Sequence, residues 1–136
     1  MKDINELLDS KNLSRTPCRV EILKILLEAP TALSESEIRE KLAYNFDRTT
    51  VYRTLRSFIS QGVIHTILVE GRETHYAISD SNDSVSNDYQ VHFSCNNCEG
   101  VYCLSHHAFA TPTIPDRYIS KSFDLMIRGI CEKCID

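Results

Sequence analysis

Two Cys-x-x-Cys pairs constrain this chain more than any other feature of its sequence. Cys95 and Cys98 form the first pair, Cys131 and Cys134 form the second, and 32 residues separate the two pairs. Each pair offers two thiolates to one tetrahedral ion, so together they predict a closed four-cysteine zinc site. The role of such a site is structural, because its metal-binding free energy becomes free energy of folding. The alternatives are disulfides, which a reducing cytosol disfavours, and incidental free thiols.

The composition is that of a globular chain. Its 136 residues are 42% hydrophobic and 25% charged, which suits one ordinary domain or two small ones. No apolar run is long enough to cross a bilayer, and residues 1–6 are polar where a signal peptide would lead into an apolar core. We therefore expect a cytoplasmic protein without a membrane partner. The net charge of −4 argues against a protein that coats nucleic acid indiscriminately.

Motifs typical of enzymes are missing from the sequence. It contains no recognisable nucleophile–base motif and no phosphate-binding loop. A four-cysteine metal site also leaves no coordination position open for a substrate. We expect neither catalysis nor a small-molecule substrate.

The first half of the chain predicts four helices. After a short helix near the N-terminus, Thr16 caps a second helix that begins at Pro17. The Ser34-Glu35-Ser36-Glu37 run is a capping box that opens the third helix. Asp47 caps the fourth helix, Arg48 to Ser60, which Gly62 closes. This order of helices is that of a helix-turn-helix.

A hairpin and a linker follow the helices. Residues 63–69 and 74–78 are rich in β-branched residues and flank a loop that contains Gly71, which predicts the wing of a winged helix-turn-helix. Residues 79–88 are almost entirely polar and predict a linker. The chain is therefore expected to have the α+β class, with a winged-helix DNA-binding domain at 1–78, a hinge at 79–88 and a zinc-stapled domain at 89–136.

The zinc-stapled domain is expected to contain three strands. Residues 90–94 and 101–104 surround the first cysteine pair, and residues 122–127 lead into the second. Between them, Pro112 and Pro115 make the segment 110–118 hostile to a helix.

The fourth helix carries the candidate DNA-binding residues. From Arg48 to Gly62 the chain has three arginines and no acid. Arginine can bridge the two acceptors of a guanine edge, and tyrosine offers a hydroxyl and a flat face to thymine methyls, so Tyr52 and Arg53 are candidates for base contact. Arg48 and Arg56 suit phosphate contact, and Thr49 shares their outward face. The alternative is an ordinary solvated basic surface.

A second metal site is predicted beside the first cysteine pair. If the strands around this pair align Ser94 with Val101, then His92 faces Cys103 on the same side of the sheet. An imidazole and a thiolate together suit zinc or another borderline-soft divalent ion. The alternative for Cys103 is a buried residue that behaves as a small apolar side chain.

The sequence resembles the ferric uptake regulator family of metal-sensing repressors across essentially its whole length. The resemblance is carried by Arg15-Thr16-Pro17-Cys18-Arg19, by Thr50-Val51-Tyr52-Arg53-Thr54-Leu55, by Gln61-Gly62, and by the cysteine pairs with His92 three residues before Cys95. It implies an N-terminal winged helix that binds operator DNA, a C-terminal α/β dimerisation module, and a regulatory metal near the hinge. A homodimer is therefore expected.

The resemblance also implies further site residues. Similar proteins use a basic residue just before the second helix to probe the minor groove, and Arg15 is the nearest candidate. His65 stands where zinc uptake regulators of the family tend to carry a histidine ligand, and His75 lies on the returning wing strand. With His92 and Cys103 these residues would form the regulatory site, while His106 and His107 are reserve ligands.

Three functions follow as hypotheses. The main one is a zinc-sensing repressor, because the positions that supply extra histidine and carboxylate ligands in iron and peroxide sensors of the family are not strong ligands here. The second is an iron- or peroxide-responsive repressor on the same scaffold. The third is a thiol-redox switch, in which oxidation of Cys103 or of a cysteine in one of the two Cys-x-x-Cys pairs expels zinc.

Overall fold

The structure is a computed structural model that describes residues 3–79, 89–104, 112–121 and 123–135. It divides into two units, Met1–Ser79 and Asp80–Asp136. Within the described ranges, no helix is both long and apolar enough to cross a membrane. Most of the predicted linker, together with His106 and His107, lies outside the described residues.

Four helices and a small antiparallel sheet make up the first unit. The strand order is β1-β3-β2, and β2 and β3 form the predicted hairpin. The two-residue strand β1 was not predicted, because so short a segment shows no alternation; it joins the sheet by pairing Leu33 with Tyr76 and Ser34 with His75. The predicted α+β class is confirmed, and the elements are α1 (Ile4–Ser10), α2 (Pro17–Glu28), β1 (Leu33–Ser34), α3 (Glu35–Lys41), α4 (Arg48–Ser60), β2 (Ile64–Ile67) and β3 (His75–Ile78).

The helices begin at the predicted capping residues. Thr16 accepts a hydrogen bond from the amide of Arg19 at 3.3 Å, with Pro17 in the first turn of α2. The capping box is complete, since the Glu37 amide donates to Ser34 Oγ at 3.2 Å and the Ser34 amide donates to Glu37 Oε1 at 3.1 Å. Each cap satisfies amides that the first helical turn leaves without a partner.

The end of α4 is a Schellman motif centred on Gly62. Gly62 has φ of 73°, a left-handed conformation that glycine adopts without steric cost. Its amide donates to the carbonyl of Ile59 at 3.1 Å, and the amide of Val63 donates to the carbonyl of Phe58 at 2.9 Å. The motif turns the chain directly from α4 into β2.

The core of the first unit lies between α2, α3, α4 and β2. Ile22, Leu23, Ile38 and Phe58 are completely buried at its centre. Thr54 is buried on α4 although it carries a hydroxyl group, whereas the apolar Ile59 is only partly buried. The Thr54 hydroxyl donates to the carbonyl of Thr50 at 2.8 Å, which satisfies its polar atom and allows burial.

In the residues that the structure describes, the second unit forms a three-stranded sheet with the order β5-β4-β6. The central strand β4 pairs antiparallel with β5 and parallel with β6. Pro112 and Pro115 lie in a described stretch, 112–121, that contains a turn and no helix. The strands are β4 (Tyr89–Cys95), β5 (Val101–Cys103) and β6 (Phe123–Gly129).

The capping box gives a prediction about stability. Replacing Ser34 with alanine removes the cap of α3, so the free energy of unfolding of the first unit should fall by about 1 kcal/mol. Glu40→Ala changes an exposed position of the same helix and is the matched control. Denaturant unfolding followed by helical circular dichroism measures both, and equal midpoints for the two variants would contradict the role of the cap.

Candidate functional site

Pairing between β4 and β6 brings the two cysteine pairs together. Cys95 ends β4 opposite Gly129, and Cys131 follows two residues after Gly129. The amide of Asn96 donates to the carbonyl of Gly129 at 2.7 Å and holds this register at the mouth of the cluster. The four sulfurs all lie within 4.8 Å of one another; they belong to Cys95, Cys98, Cys131 and Cys134.

The geometry of the cluster fits a tetrahedral metal ion. Four sulfurs at about 2.3 Å from a central zinc are about 3.8 Å from one another. The sulfurs of Cys98 and Cys131, which come from different pairs, are 3.8 Å apart. The described cysteines therefore fit the closed four-thiolate shell that their spacing predicts.

Backbone amides surround the sulfur of Cys95. The amides of Asn97, Cys98 and Cys131 each point at this atom from 3.4 Å. The Cys98 amide has the largest effect, and together these donors lower the pKa of the Cys95 thiol to about 6. Because the thiolate is the form that binds metal, the backbone prepares this ligand before an ion arrives.

Tyr102 lies beside the cluster and was not singled out from the sequence. Its hydroxyl donates to the sulfur of Cys131 at 3.6 Å, and this contact is the main cause of a lowered pKa of Cys131. The same contact raises the pKa of the Tyr102 hydroxyl. No motif marks Tyr102, because its distance from Cys131 depends on how three strands pair.

His92 and Cys103 face each other across β4 and β5, as the predicted strand register requires. The candidate ligand atoms of the two side chains lie within 4.8 Å of each other. His92 is 4% exposed, and burial lowers the pKa of its imidazole while the charge of Asp124 opposes the shift. A neutral imidazole beside a thiol is a suitable pair of donors for a divalent metal.

The two wing histidines have different surroundings within the first unit. His65 lies on β2, half-buried, with Nδ1 3.4 Å from the hydroxyl of Ser79. His75 is buried on β3, with Nδ1 2.8 Å from the carbonyl of Glu73 and Nε2 3.6 Å from a carboxylate oxygen of Glu37. The ligand role of His75 stays a prediction. In the structure, the contact of its ring with Glu37 links the wing to α3.

The outward face of α4 presents the predicted DNA-binding residues. Tyr52 is 55% exposed on this face, as its predicted role requires. At the start of the helix, the Thr50 amide donates to Asp47 at 2.7 Å and lowers the pKa of that carboxyl. Arg15, just before α2, is exposed and contacts Asn5. The other exposed side chains of this face are Arg48, Thr49, Arg53 and Arg56.

Comparison with known proteins identifies this arrangement. The model of the ferric uptake regulator family matches residues 10–114. The chain belongs to the ferric uptake regulator family. Members are metal-responsive transcription regulators rather than enzymes, and they bind operator DNA and act as dimers. Comparison with curated proteins gives no match.

Solved structures of ferric uptake regulators and their relatives have the same fold. The ferric uptake regulator of Vibrio cholerae is 22% identical, with 95% of this chain and 100% of that chain aligned and a TM-score of 0.63. A zinc-bound manganese uptake regulator is 19% identical over 93% and 98%, with a TM-score of 0.62. The holo form of XcZur is 16% identical over 96% and 97%, also with a TM-score of 0.62. At these identities the likeness establishes the fold and leaves the metal open.

The four-cysteine cluster gives a prediction about metal removal. Cys98→Ser removes one thiolate of the shell, so the second unit should lose its metal and much of its folded structure. Tryptophan is absent from the chain, so the readouts are metal content after gel filtration and amide exchange of β4 to β6. Cys18→Ser changes a cysteine in the first unit and is the control. A Cys98→Ser protein with full metal content and protected strands would contradict the site.

Proposed function

We propose that this regulator is a zinc-sensing repressor with two zinc sites in each chain. The first is the structural four-cysteine site, for which zinc is the natural ion because it accepts a closed tetrahedral shell of thiolates. The second is a regulatory site to which His92 and Cys103 contribute. The observation that carries the proposal is the direct pairing of His92 with Cys103 on adjacent strands.

The chemistry of the donors supports zinc over iron and manganese. Nitrogen and sulfur donors suit zinc, whereas carboxylates favour harder ions. No carboxylate joins the groups of potential ligands found among the described residues. The family resemblance implies that Phe123 and Gln90 stand where iron sensors carry stronger ligands, and neither side chain is a strong metal ligand.

We infer that His65 completes the regulatory site from the winged helix. A ligand set that spans both units lets metal occupancy bias their relative orientation, provided that one orientation binds zinc more tightly. In a dimer this bias would set the distance between two recognition helices, which must match half-sites spaced by about 34–36 Å or a multiple. Zinc would then promote repression, and zinc shortage would release the repressed genes.

Zinc titration with matched variants tests the regulatory site. The wild-type chain should bind two zinc ions, and His92→Ala, Cys103→Ser and His65→Ala should each retain the first ion but weaken the second by at least about 10-fold. His75→Gln should leave the second ion in place, since the structure gives His75 contacts within the winged helix. If the second zinc bound the His92→Ala and Cys103→Ser variants as tightly as the wild type, the result would contradict the proposed site.

Metal preference, the response to oxidants and operator binding separate the rival functions. An iron- or peroxide-responsive regulator would prefer ferrous iron at the second site and would show iron-dependent oxidation of a ligand histidine under peroxide. A thiol-redox switch would release zinc and lose operator binding after a stoichiometric dose of oxidant, even with zinc present in the solution. The zinc-sensing proposal expects operator binding to follow occupancy of the second site alone.

Operator binding gives a further prediction about α4. The test uses a DNA site selected from random sequences by the zinc-loaded protein. Arg53→Ala should weaken the free energy of binding to this site by about 1–3 kcal/mol and relax the preference at one base pair. Arg48→Ala should weaken binding to all sequences and reduce the salt dependence by about one counterion. Lys24→Ala, on the exposed side of α2, is the control. Unchanged base preference in Arg53→Ala would remove it from base recognition.

A further inference from the structure

Tyr102 has a position that the family resemblance does not explain. It lies on β5 between Val101, which is buried in the sheet, and Cys103. Successive side chains on a strand point to opposite faces, so Tyr102 and Cys103 lie on different sides of the sheet. Cys103 faces His92, whereas the Tyr102 hydroxyl reaches the four-cysteine cluster.

The second observation is the close approach of Gly100 to Tyr102. A Cβ atom at position 100 would lie 3.1 Å from Tyr102 Cε2 and 3.3 Å from both the Tyr102 hydroxyl and the sulfur of Cys98. These distances are shorter than ordinary van der Waals contacts. The glycine therefore leaves the space in which the ring lies against the cluster, and its amide also donates to Cys98 Sγ at 3.4 Å.

We propose that Tyr102 is a positioning residue of the four-cysteine metal site, which orients the sulfur of Cys131 and reduces its electron donation to the bound ion. The proposal rests on the proposed metal site and adds a role for a residue outside the ligand set. A hydrogen bond from the hydroxyl withdraws electron density from the thiolate and fixes the direction of its lone pairs.

The physical consequence is a difference between Cys131 and Cys98. Cys95 and Cys131 are buried, and each receives hydrogen bonds, three from amides at Cys95 and one from Tyr102 at Cys131. Cys98 is exposed and receives the amide of Gly100. Loss of the Tyr102 hydroxyl should therefore make the Cys131 sulfur more electron-rich, and it should also remove the contact that orients this sulfur toward the ion.

The test uses the full chain and cobalt(II) as the probe, with Tyr102→Phe as the variant. Phenylalanine keeps the ring and removes only the hydroxyl. The sulfur-to-cobalt charge-transfer bands of the variant should move to lower energy, and zinc should pass to a competing chelator with an affinity about 10–100-fold weaker than in the wild type. Tyr118→Phe, which changes an exposed tyrosine in the same unit, is the matched control and should behave as the wild type.

A second variant keeps the hydroxyl and moves the ring. Gly100→Ala should shift the bands in the same direction as Tyr102→Phe, because the added Cβ would lie 3.1 Å from Tyr102 Cε2 and the ring must move by a few tenths of an ångström. The same Cβ would lie 3.3 Å from Cys98 Sγ, so Tyr102→Phe is the decisive variant. The role of Tyr102 would be overturned if the charge-transfer bands of Tyr102→Phe had the same energy as those of the wild type. It would also be overturned if Tyr118→Phe showed an equal shift. If the wild type itself shows no four-thiolate cobalt spectrum, the proposed metal site fails instead, so the two failures are distinguishable.

Discussion

Convergence of four thiolates on one point is the constraint on which the second unit depends. The parallel pairing of β4 with β6 sets Cys95 opposite Gly129. The second cysteine pair, which follows β6, therefore lies beside the first pair, which begins at the end of β4. This unit has a short sheet with an exposed edge strand and few fully buried side chains in its described parts. A small apolar interior cannot offset the entropy of ordering the chain, so a metal ion is the natural source of the missing free energy.

The same sheet carries two kinds of ligand on its two faces. On β5, Tyr102 approaches the four-cysteine cluster and the next residue, Cys103, faces His92. A structural ion that fixes the strands therefore also fixes the distance between the His92 and Cys103 donors. In the proposed function this fixed pair is the rigid half of the regulatory site, and the winged helix supplies the other half through His65.

Local chemistry decided which features could be predicted from the sequence. The spacing within each cysteine pair, the capping box at Ser34 and the left-handed Gly62 each depend on neighbours within a few residues, and the structure has each of them. Strand β1 and the contact of Tyr102 with Cys131 were missed, because each depends on pairing between distant segments. His75 shows the same limit, since its contact with Glu37 joins residues far apart in sequence.

X-ray absorption at the zinc edge tests the central claim most directly, as zinc is added first to one and then to two equivalents per chain. With one equivalent, the account predicts a shell of four sulfurs at about 2.3 Å. The second equivalent should add imidazole nitrogens at about 2.0 Å together with a single sulfur. A second ion bound only through oxygen, or a chain that is saturated at one zinc, would contradict the account.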